Sequence, residues 1–508
     1  MLGGVQTERL SASARRVFGL ILIFTALRLV LAWWLGLGVD ESYEVVMARV
    51  PSLSYLDHPP LSFWMAGAVA HITGAEYRVA LRLPFILLFA LSSWLMFHLT
   101  ARAYGDRAGY LAVLLLNVAP VFALSTGGWI LPDGPLACAM LAAGVCLSRV
   151  LIDDAASRWW WPAAGAATGL ALLSKYHGVF VLVGTLLFLV TRRESRHWLR
   201  RPEPYVAAAV ALLIATPVIV WNVQHNFASL RFQAGRATSH GIHVASLAQN
   251  VAGQLGYLFP WIGTLLLWQL GRGLRLGPRD TTRWLLTCLA VGPIGFFTLV
   301  SLGGNPGLPH WPAPGYLFLF PLVGDAVARY EQRGNDERIL IKRFIAACVI
   351  VFIGLTAVAG SAIATGWPAR LAPSLFRHGD PTLEAVDWRD LKPALEERGM
   401  LKAGVAIVTT HWIDAAKAGY ALGPEHRVYC FSDDPRGFQF AFPTEQLLGW
   451  TRILIVRQRR PDVALQIQSD FDSIGAAMTV PIRRAGQVAL ELEVFPAGRI
   501  RSIASQRR

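Results

Sequence analysis

The chain has 508 residues, of which 54% are hydrophobic and only 16% are charged, and its mean hydropathy is +0.43. Soluble proteins carry about 25% charged residues, so this composition excludes an ordinary soluble enzyme and favours a polytopic membrane protein. The net charge of +14 does not indicate a nucleic-acid partner, because the arginines lie in short loops between apolar segments rather than in one stripe with interleaved aromatic residues.

The apolar segments predict a polytopic α-helical membrane protein with about eleven transmembrane helices. The first segment is longer than a signal-peptide core and lacks a small-residue cleavage site, so it is interpreted as a membrane anchor. Basic residues concentrate in the N-terminal segment and in the loops on its side of the membrane, which predicts a cytoplasmic N-terminus and an exterior C-terminal tail. The predicted spans are 18–38, 82–102, 109–126, 134–151, 160–175, 177–191, 205–222, 251–270, 284–302, 311–328 and 344–365.

A change of composition near Trp367 predicts two domains. Residues 1–365 are predicted to form the transmembrane domain, with a long first exterior loop at 39–81 that could carry amphipathic helices on the membrane surface. Residues 366–508 are predicted to form a small exterior α/β domain without a catalytic group of its own. Its strands are predicted at 405–410, 427–431, 452–458 and 488–495, and its helices at 384–400 and 414–422.

Asp40 and Glu41 stand where the first apolar segment ends, on the predicted exterior side. Carboxylates at a membrane boundary are costly when buried, so one interpretation is a general base that deprotonates or orients an acceptor hydroxyl. The alternative is a pair of acids at the positively polarised start of a helix. Tyr43 follows within a turn and is either a substrate contact or a member of the aromatic belt at the interface.

The segment Asp57-His58-Pro59-Pro60 is stiffened by its two prolines. Each proline keeps the preceding residue out of the α region, so Asp57 and His58 are predicted to point in fixed directions as substrate contacts. A simple entry into the next helix explains the same pattern, because proline is favoured in a first helical turn.

Further charged residues lie near the predicted exterior ends of later spans. Asp133 is either a helix N-cap or a second functional carboxylate. Lys175, followed by Tyr176, is the one lysine predicted on the exterior side before residue 365, and it either binds a lipid phosphate or complements a helix C-terminus. Arg82 and Arg231 are further candidates for phosphate binding, although Arg82 could equally be a snorkelling anchor.

Two more exterior segments combine imidazole and indole rings, around His225 and His310. Such surfaces suit sugars or lipid headgroups, and they also suit an ordinary interface belt. The cytoplasmic loops show no glycine-rich nucleotide cradle. A transferase that works on the exterior face would therefore need a lipid-borne donor. The five cysteines show neither a disulfide framework nor metal-site spacing.

In their order along the chain, the motifs resemble the bacterial branch of the C-type (GT-C) glycosyltransferases, the dolichyl-phosphate-mannose protein mannosyltransferase-like family. The aminoarabinose and galacturonic acid transferases of lipopolysaccharide are similar relatives. The resemblance implies a polyprenyl-phosphate sugar donor, an exterior active site and inversion at the anomeric carbon. The matching stretches are VDESYEVVMA, YLDHPPLSFW, LPDGPL, LLSKYHGVF, PVIVWNVQHNFASLRFQ and LPHWPAPGYL.

The resemblance also implies roles for individual residues. Asp40 matches the catalytic acidic residue of the family and Glu41 accompanies it. Asp133 matches the second acidic position, and Lys175 matches the basic residue near the donor phosphate. His58 stands where some lipid A transferases carry a lysine. No cofactor is certain, and a divalent metal is left open.

The function expected is transfer of a sugar from a polyprenyl-phosphate donor to lipid A, the lipopolysaccharide core or another envelope glycolipid or glycan, on the periplasmic face of the bacterial inner membrane. A polyprenyl phosphate is a good leaving group, so cations and one base suffice. The alternatives are protein O-mannosyltransferase-like activity and a transporter or flippase. The sequence shows no broken helices paired in two halves, and Arg28 is the one clear charge inside a span.

Overall fold

The computed structural model describes residues 12–153, 157–237, 241–304, 307–377, 379–459 and 467–503. Its contacts divide the chain into two compact units. The first unit contains Met1–Leu29, His58–Leu61 and Leu83–Gly354, and the second contains Val30–Asp57, Ser62–Arg82 and Leu355–Arg508. Most of the predicted first loop thus belongs to one unit with the C-terminal residues, whereas His58–Leu61 belongs to the first unit. The boundary at residue 365 between two domains stays a prediction.

Helices build the first unit, and their apolar faces form one core around residues such as Phe89, Leu115, Leu285 and Phe318. The helices Ala12–Trp34, Arg78–Tyr104 and Asn335–Thr365 each belong partly to both units. The other helices of the first unit are Asp106–Val118, Asp133–Ile152, Trp160–Ser174, Val179–Thr191, Glu203–Ile214, Thr216–Gln224, Ala228–Ala237, Val244–Leu258, Pro260–Leu276, Thr281–Val300, Ala313–Tyr316 and Phe320–Glu331.

Five helices of the described chain are long and apolar enough to cross a membrane, or up to seven segments if two bent helix pairs each count as one span. All eleven predicted segments overlap a helix, but the count of eleven is not confirmed. Some of these helices are short: Trp160–Ser174 has 15 residues and Val179–Thr191 has 13, against the roughly 20 that a straight span needs.

The predicted spans 205–222 and 251–270 each correspond to a bent pair of helices rather than to one helix. Glu203–Ile214 and Thr216–Gln224 meet at 52°, and the helices on either side of Phe259 meet at 112°. The second helix of each pair has a proline in its first turn, Pro217 or Pro260, where the missing N–H costs nothing. Phe259 adopts a left-handed φ of 63°. In many transporters, broken helices lie at corresponding positions of two halves of the chain. Here both bends lie in one stretch of the chain, so this pattern is not seen among the described residues.

Arg28, the charge inside the first span, is buried against protein groups. Its Nε donates to the carbonyl of Ala123 at 2.8 Å and its Nη2 donates to Asn117 Oδ1 at 3.0 Å. Its guanidinium also lies 4.5 Å from the ring centre of Phe89. These contacts account for Arg28 as a packing residue, without a relay of charges.

The second unit contains a five-stranded sheet in the order β2-β1-β3-β5-β4. The strands are β1 (Ala406–Thr409), β2 (Val428–Cys430), β3 (Ile453–Arg457), β4 (Met478–Arg484) and β5 (Gln487–Ala497). The helices of this unit are Val39–Ala48, Leu61–Thr73, Trp367–Leu371, Leu391–Glu397, Trp412–Leu422 and Phe438–Ala441. The predicted α/β character of the C-terminal residues is therefore confirmed.

The register of the sheet explains which strands the sequence revealed. β1 pairs in parallel with β2 and β3, and every residue of β1 and β3 is buried, as in central parallel strands. β4 and β5 form an antiparallel hairpin whose two turn residues, Ala485 and Gly486, both have left-handed φ values. All four predicted strands are present. β4 was not predicted, because a proline and two arginines interrupt its apolar pattern.

Candidate functional site

Glu41 is bound into the start of the helix Val39–Ala48. Its carboxylate accepts a hydrogen bond from the backbone N–H of Gly38 at 2.9 Å. It also accepts two from the Arg82 guanidinium, at 2.7 and 2.5 Å, and both side chains are buried. Glu41 therefore fits the structural alternative, an acid that caps a helix and pairs with a buried cation.

Arg82 holds the end of the first long helix as well. Its guanidinium donates to the carbonyl oxygens of Ala32, Leu35 and Gly36 at 3.2, 2.9 and 2.7 Å. Together with the two bonds to Glu41, these contacts with described residues use all five N–H groups of the guanidinium. A phosphate would have to displace one of them, so the structure favours a structural role for Arg82.

Asp40, next to Glu41, has a different environment. Its side chain is accessible to solvent although protein atoms surround much of it, and it has no hydrogen-bond or ion-pair partner among the described residues. Burial by the surrounding protein raises the pKa of Asp40, and the charges of Asp57, Glu384 and Glu41 raise it further, whereas Arg436 lowers it. An accessible carboxylate with a raised pKa suits a general base better than a buried, paired one does.

Tyr43 and Asp57 lie together in the second unit. The Tyr43 hydroxyl donates to Asp57 Oδ2 and accepts from the Gly437 N–H at 2.9 Å. Asp57 Oδ1 accepts from Arg436 Nη1 at 3.1 Å. Burial, followed by the charge of Asp57, raises the pKa of Tyr43 well above its usual value, so Tyr43 stays protonated. Since both side chains are buried and bonded, they are placed to support a site rather than to line one.

Lys175 and Asp133 form a buried ion pair in the first unit. Lys175 Nζ lies 3.0 and 3.1 Å from the two carboxylate oxygens of Asp133, and no other described residue accepts from it. The helix Trp160–Ser174 ends here, and Lys175 adopts an extended conformation before the short turn Tyr176–Gly178. At Gly178, the last residue of this turn, a Cβ atom would come within 2.6 Å of the Ala171 backbone, so only glycine fits there without a shift.

The Lys175 ammonium lines a cavity of about 390 Å³ inside the first unit. Its other polar lining residues are His58, Tyr176, His177, Gln233 and Arg236. The apolar wall is made mainly of aromatic rings, namely Phe180, Phe296, Phe297 and Trp311. The cavity thus combines two cationic side chains with a mainly aromatic lining, which suits an amphipathic anion.

Two histidines, His58 and His177, line this cavity, and a third, His310, is influenced by the charges of Lys175 and Arg236. The buried Nδ1 of His58 and Nε2 of His177 have no hydrogen-bond partner among the described residues. Burial and the charge of Lys175 lower the pKa of His58 to about 3 and the pKa of His310 to about 4. These two rings are therefore neutral near pH 7. An unpaired buried polar atom costs about 1–3 kcal/mol, so polar atoms of a ligand would stabilise the site.

Of the remaining predicted residues, Tyr176 lines the cavity, whereas His225 and Arg231 are not among its described lining residues. The Tyr176 hydroxyl donates to Ser229 Oγ at 2.8 Å and accepts from Asn222 Nδ2 at 3.2 Å. His225 bonds through Nδ1 to the carbonyl of Trp221 and stacks on its indole. Arg231 is exposed and is not among the described residues that line the cavity.

Sequence reasoning did not single out three polar residues of the cavity, His177, Gln233 and Arg236. Arg236 lies five residues after Arg231 on the helix Ala228–Ala237 and packs 5.0 Å from the Trp311 ring centre. His177 stacks on Phe297 at 4.4 Å. His177 stood inside the recognised LLSKYHGVF motif, so its place in that motif was the available signal. Nothing local distinguished Arg236 from Arg231.

Within the described ranges, no group of three or more His, Cys, Asp or Glu side chains could hold a metal ion. The five cysteines are all free and buried, and none of them lines this cavity.

Residues 57–221 match the sequence model of the dolichyl-phosphate-mannose-protein mannosyltransferase family. The family resemblance of the motifs is thereby confirmed. Among curated relatives, the lipid A galacturonosyltransferase RgtD of Rhizobium johnstonii is 26% identical over 55% of this chain and 58% of its own length. The lipopolysaccharide core galacturonosyltransferase RgtA of that organism is 27% identical over 65% of this chain and 68% of its own length. The match thus spans less than two thirds of RgtD.

The fold matches a solved structure along almost the whole chain. ArnT from Cupriavidus metallidurans, bound to undecaprenyl phosphate, superposes with a TM-score of 0.65 at 18% identity, over 94% of this chain and 98% of ArnT. At this identity the likeness shows a shared fold. The prediction is confirmed in its coarser form, a mostly helical fold like that of ArnT with several apolar helices.

Proposed function

We propose that this protein is an integral-membrane, inverting glycosyltransferase that moves a sugar from a polyprenyl-phosphate donor to lipid A, the lipopolysaccharide core or another envelope glycan on the periplasmic face. The observation that carries the proposal is the cavity that combines Lys175 and Arg236 with an aromatic wall. Support also comes from relatives named galacturonosyltransferases and from an ArnT structure that holds undecaprenyl phosphate.

The chemistry of the cavity matches the two halves of a polyprenyl phosphate. The phosphate would accept from Lys175 Nζ and from the planar guanidinium of Arg236, which can bind two oxygens at once. His58 and His177 would satisfy their unpaired ring nitrogens on polar atoms of the same ligand. The aromatic wall would contact the first isoprene units and exclude water from the leaving group.

In the proposed reaction, Asp40 removes the proton from an acceptor hydroxyl. The acceptor oxygen forms a bond to the anomeric carbon from the face opposite the phosphate, and the bond between that carbon and the phosphate oxygen breaks. Lys175 and Arg236 stabilise the charge on the departing polyprenyl phosphate. The leaving group needs no protonation, so a second acid is not required.

Replacing Arg236 with glutamine should weaken binding of undecaprenyl phosphate by about 10–100-fold, because hydrogen bonds to charged groups contribute about 1.5–3 kcal/mol. Arg231→Gln is the matched control, since it removes the same charge from an exposed position of the same helix. Calorimetric titration of the purified protein in detergent measures both. Equal affinities of the two variants would contradict the assignment of the cavity.

The proposed orientation is tested with engineered cysteines, because all native cysteines are buried. Glu397 and Arg279 are both exposed, and they lie on opposite predicted sides of the membrane. A membrane-impermeant maleimide should label Glu397→Cys in intact spheroplasts and Arg279→Cys only after permeabilisation. The reverse pattern would overturn the topology and place the acceptor on the other face.

A further inference from the structure

We propose that Arg436 is a positioning residue for the base Asp40, and that it acts through the carboxylate of Asp57. The inference rests on the proposed function, because it takes Asp40 as the base. Through Arg436, the C-terminal residues would influence the reaction although they supply no catalytic group.

The contacts of Asp57 link it directly to Arg436. One of its oxygens accepts from Arg436 Nη1 at 3.1 Å, across 379 residues of sequence, and the other accepts from the Tyr43 hydroxyl. Tyr43 in turn accepts from the Gly437 N–H at 2.9 Å. Arg436 and Gly437 thus hold both ends of the Tyr43–Asp57 pair, which fixes the carboxylate in one place.

The local structure holds Arg436 in a demanding conformation. Its backbone φ is 51°, in the left-handed region that is uncommon for residues other than glycine. The guanidinium donates through Nε to Asp434 at 3.0 Å and lies 4.6 Å from the ring centre of Trp412. Such a conformation persists only where the surrounding contacts hold it in place, and residues of this kind are concentrated at functional sites.

The charges near Asp40 connect Arg436 and Asp57 to the protonation of the base. Asp57, Glu384 and Glu41 are negative, and Arg436 is the positive group that opposes them. Glu41 is itself paired with Arg82. Without Arg436, the charge of Asp57 would be less compensated and would favour protonated Asp40. A general base must be deprotonated, so Arg436 keeps Asp40 in its working form.

The test compares pH profiles of transfer in purified variants. On the acidic limb of the pH–rate profile, the rate falls as Asp40 becomes protonated. Arg436→Gln should move this limb to higher pH, because a positive charge near Asp40 is lost. Asp57→Asn should move it to lower pH, because a negative charge is lost, and the double variant should lie between them. A shift of one pH unit lowers the rate about tenfold on the acidic limb and leaves the plateau unchanged. Arg436→Lys, which keeps the charge, should restore the limb.

Arg457→Gln is the matched control, since it breaks another arginine–carboxylate pair of the same sheet domain, with Glu493, that does not face Asp40. Limbs that do not move, or that move in the same direction for Arg436→Gln and Asp57→Asn, would overturn the inference. If Arg436→Gln does not fold, the limb of Asp57→Asn decides alone. Full activity of Asp40→Asn would instead overturn the assignment of Asp40 as the base. A failure of the proposed function can therefore be distinguished from a failure of the role inferred for Arg436.

Discussion

Asp40→Asn should lower sugar transfer by about 10²–10⁴-fold, the loss expected when a general base is removed. The substitution keeps the size of the side chain and removes its charge. Asp40 is exposed and has no hydrogen-bond partner among the described residues, so its loss should leave the folded protein intact. Activity should fall while the thermal unfolding midpoint stays within experimental error.

The measurement is single-turnover transfer from a polyprenyl-phosphate sugar to an acceptor lipid, alongside thermal unfolding in the same detergent. Binding of undecaprenyl phosphate provides the control, because Asp40 is not among the residues that line the cavity. We therefore expect unchanged affinity together with lost turnover. Near wild-type turnover in the purified variant would show that the base is another group.

Arg82→Met should destabilise the fold by about 3–5 kcal/mol, the usual cost of breaking a buried ion pair by removing one partner. The change leaves the Glu41 carboxylate buried without its cation, and it strands the carbonyl oxygens of Ala32, Leu35 and Gly36. We expect a lower free energy of unfolding and a loss of activity that follows the folded fraction.

Arg78→Met, one turn earlier on the same helix, is the matched control. Arg78 is paired with Asp387 at 3.4 Å and both side chains are partly exposed, so its loss should cost about 0–1 kcal/mol. The double variant Glu41→Gln/Arg82→Met should recover part of the stability, since no unpaired charge stays buried. An Arg82→Met protein as stable as Arg78→Met would disprove the structural role assigned to the pair.

Much of the fold could be predicted from local patterns. Every predicted span overlaps a helix, because a long apolar run can satisfy its backbone in lipid only by closing its own hydrogen bonds. The strands β1 and β3 are visible as short apolar runs for a similar local reason. The bend at Phe259 was not predicted, because the segment is equally apolar before and after the bend and its composition does not mark where one helix ends.

The motifs also brought the right segments to attention, since Asp133 and Lys175 were both singled out and form one ion pair. The roles of neighbouring residues were beyond the sequence. Asp40 and Glu41 carry the same functional group at consecutive positions, yet Glu41 is buried against Arg82 and Asp40 is exposed. That difference depends on a guanidinium 41 residues away.

Tertiary structure decided the remaining assignments in the same way. It chose Arg236 over Arg231 for the cavity, because five residues along a helix turn a side chain to a different face. It brought Arg436 to Asp57 across 379 residues. The sequence by itself determined which segments are helical or extended, because those preferences are local. Only the tertiary structure decided which charges are paired, because the partner of a buried charge is set by packing between segments distant in the chain.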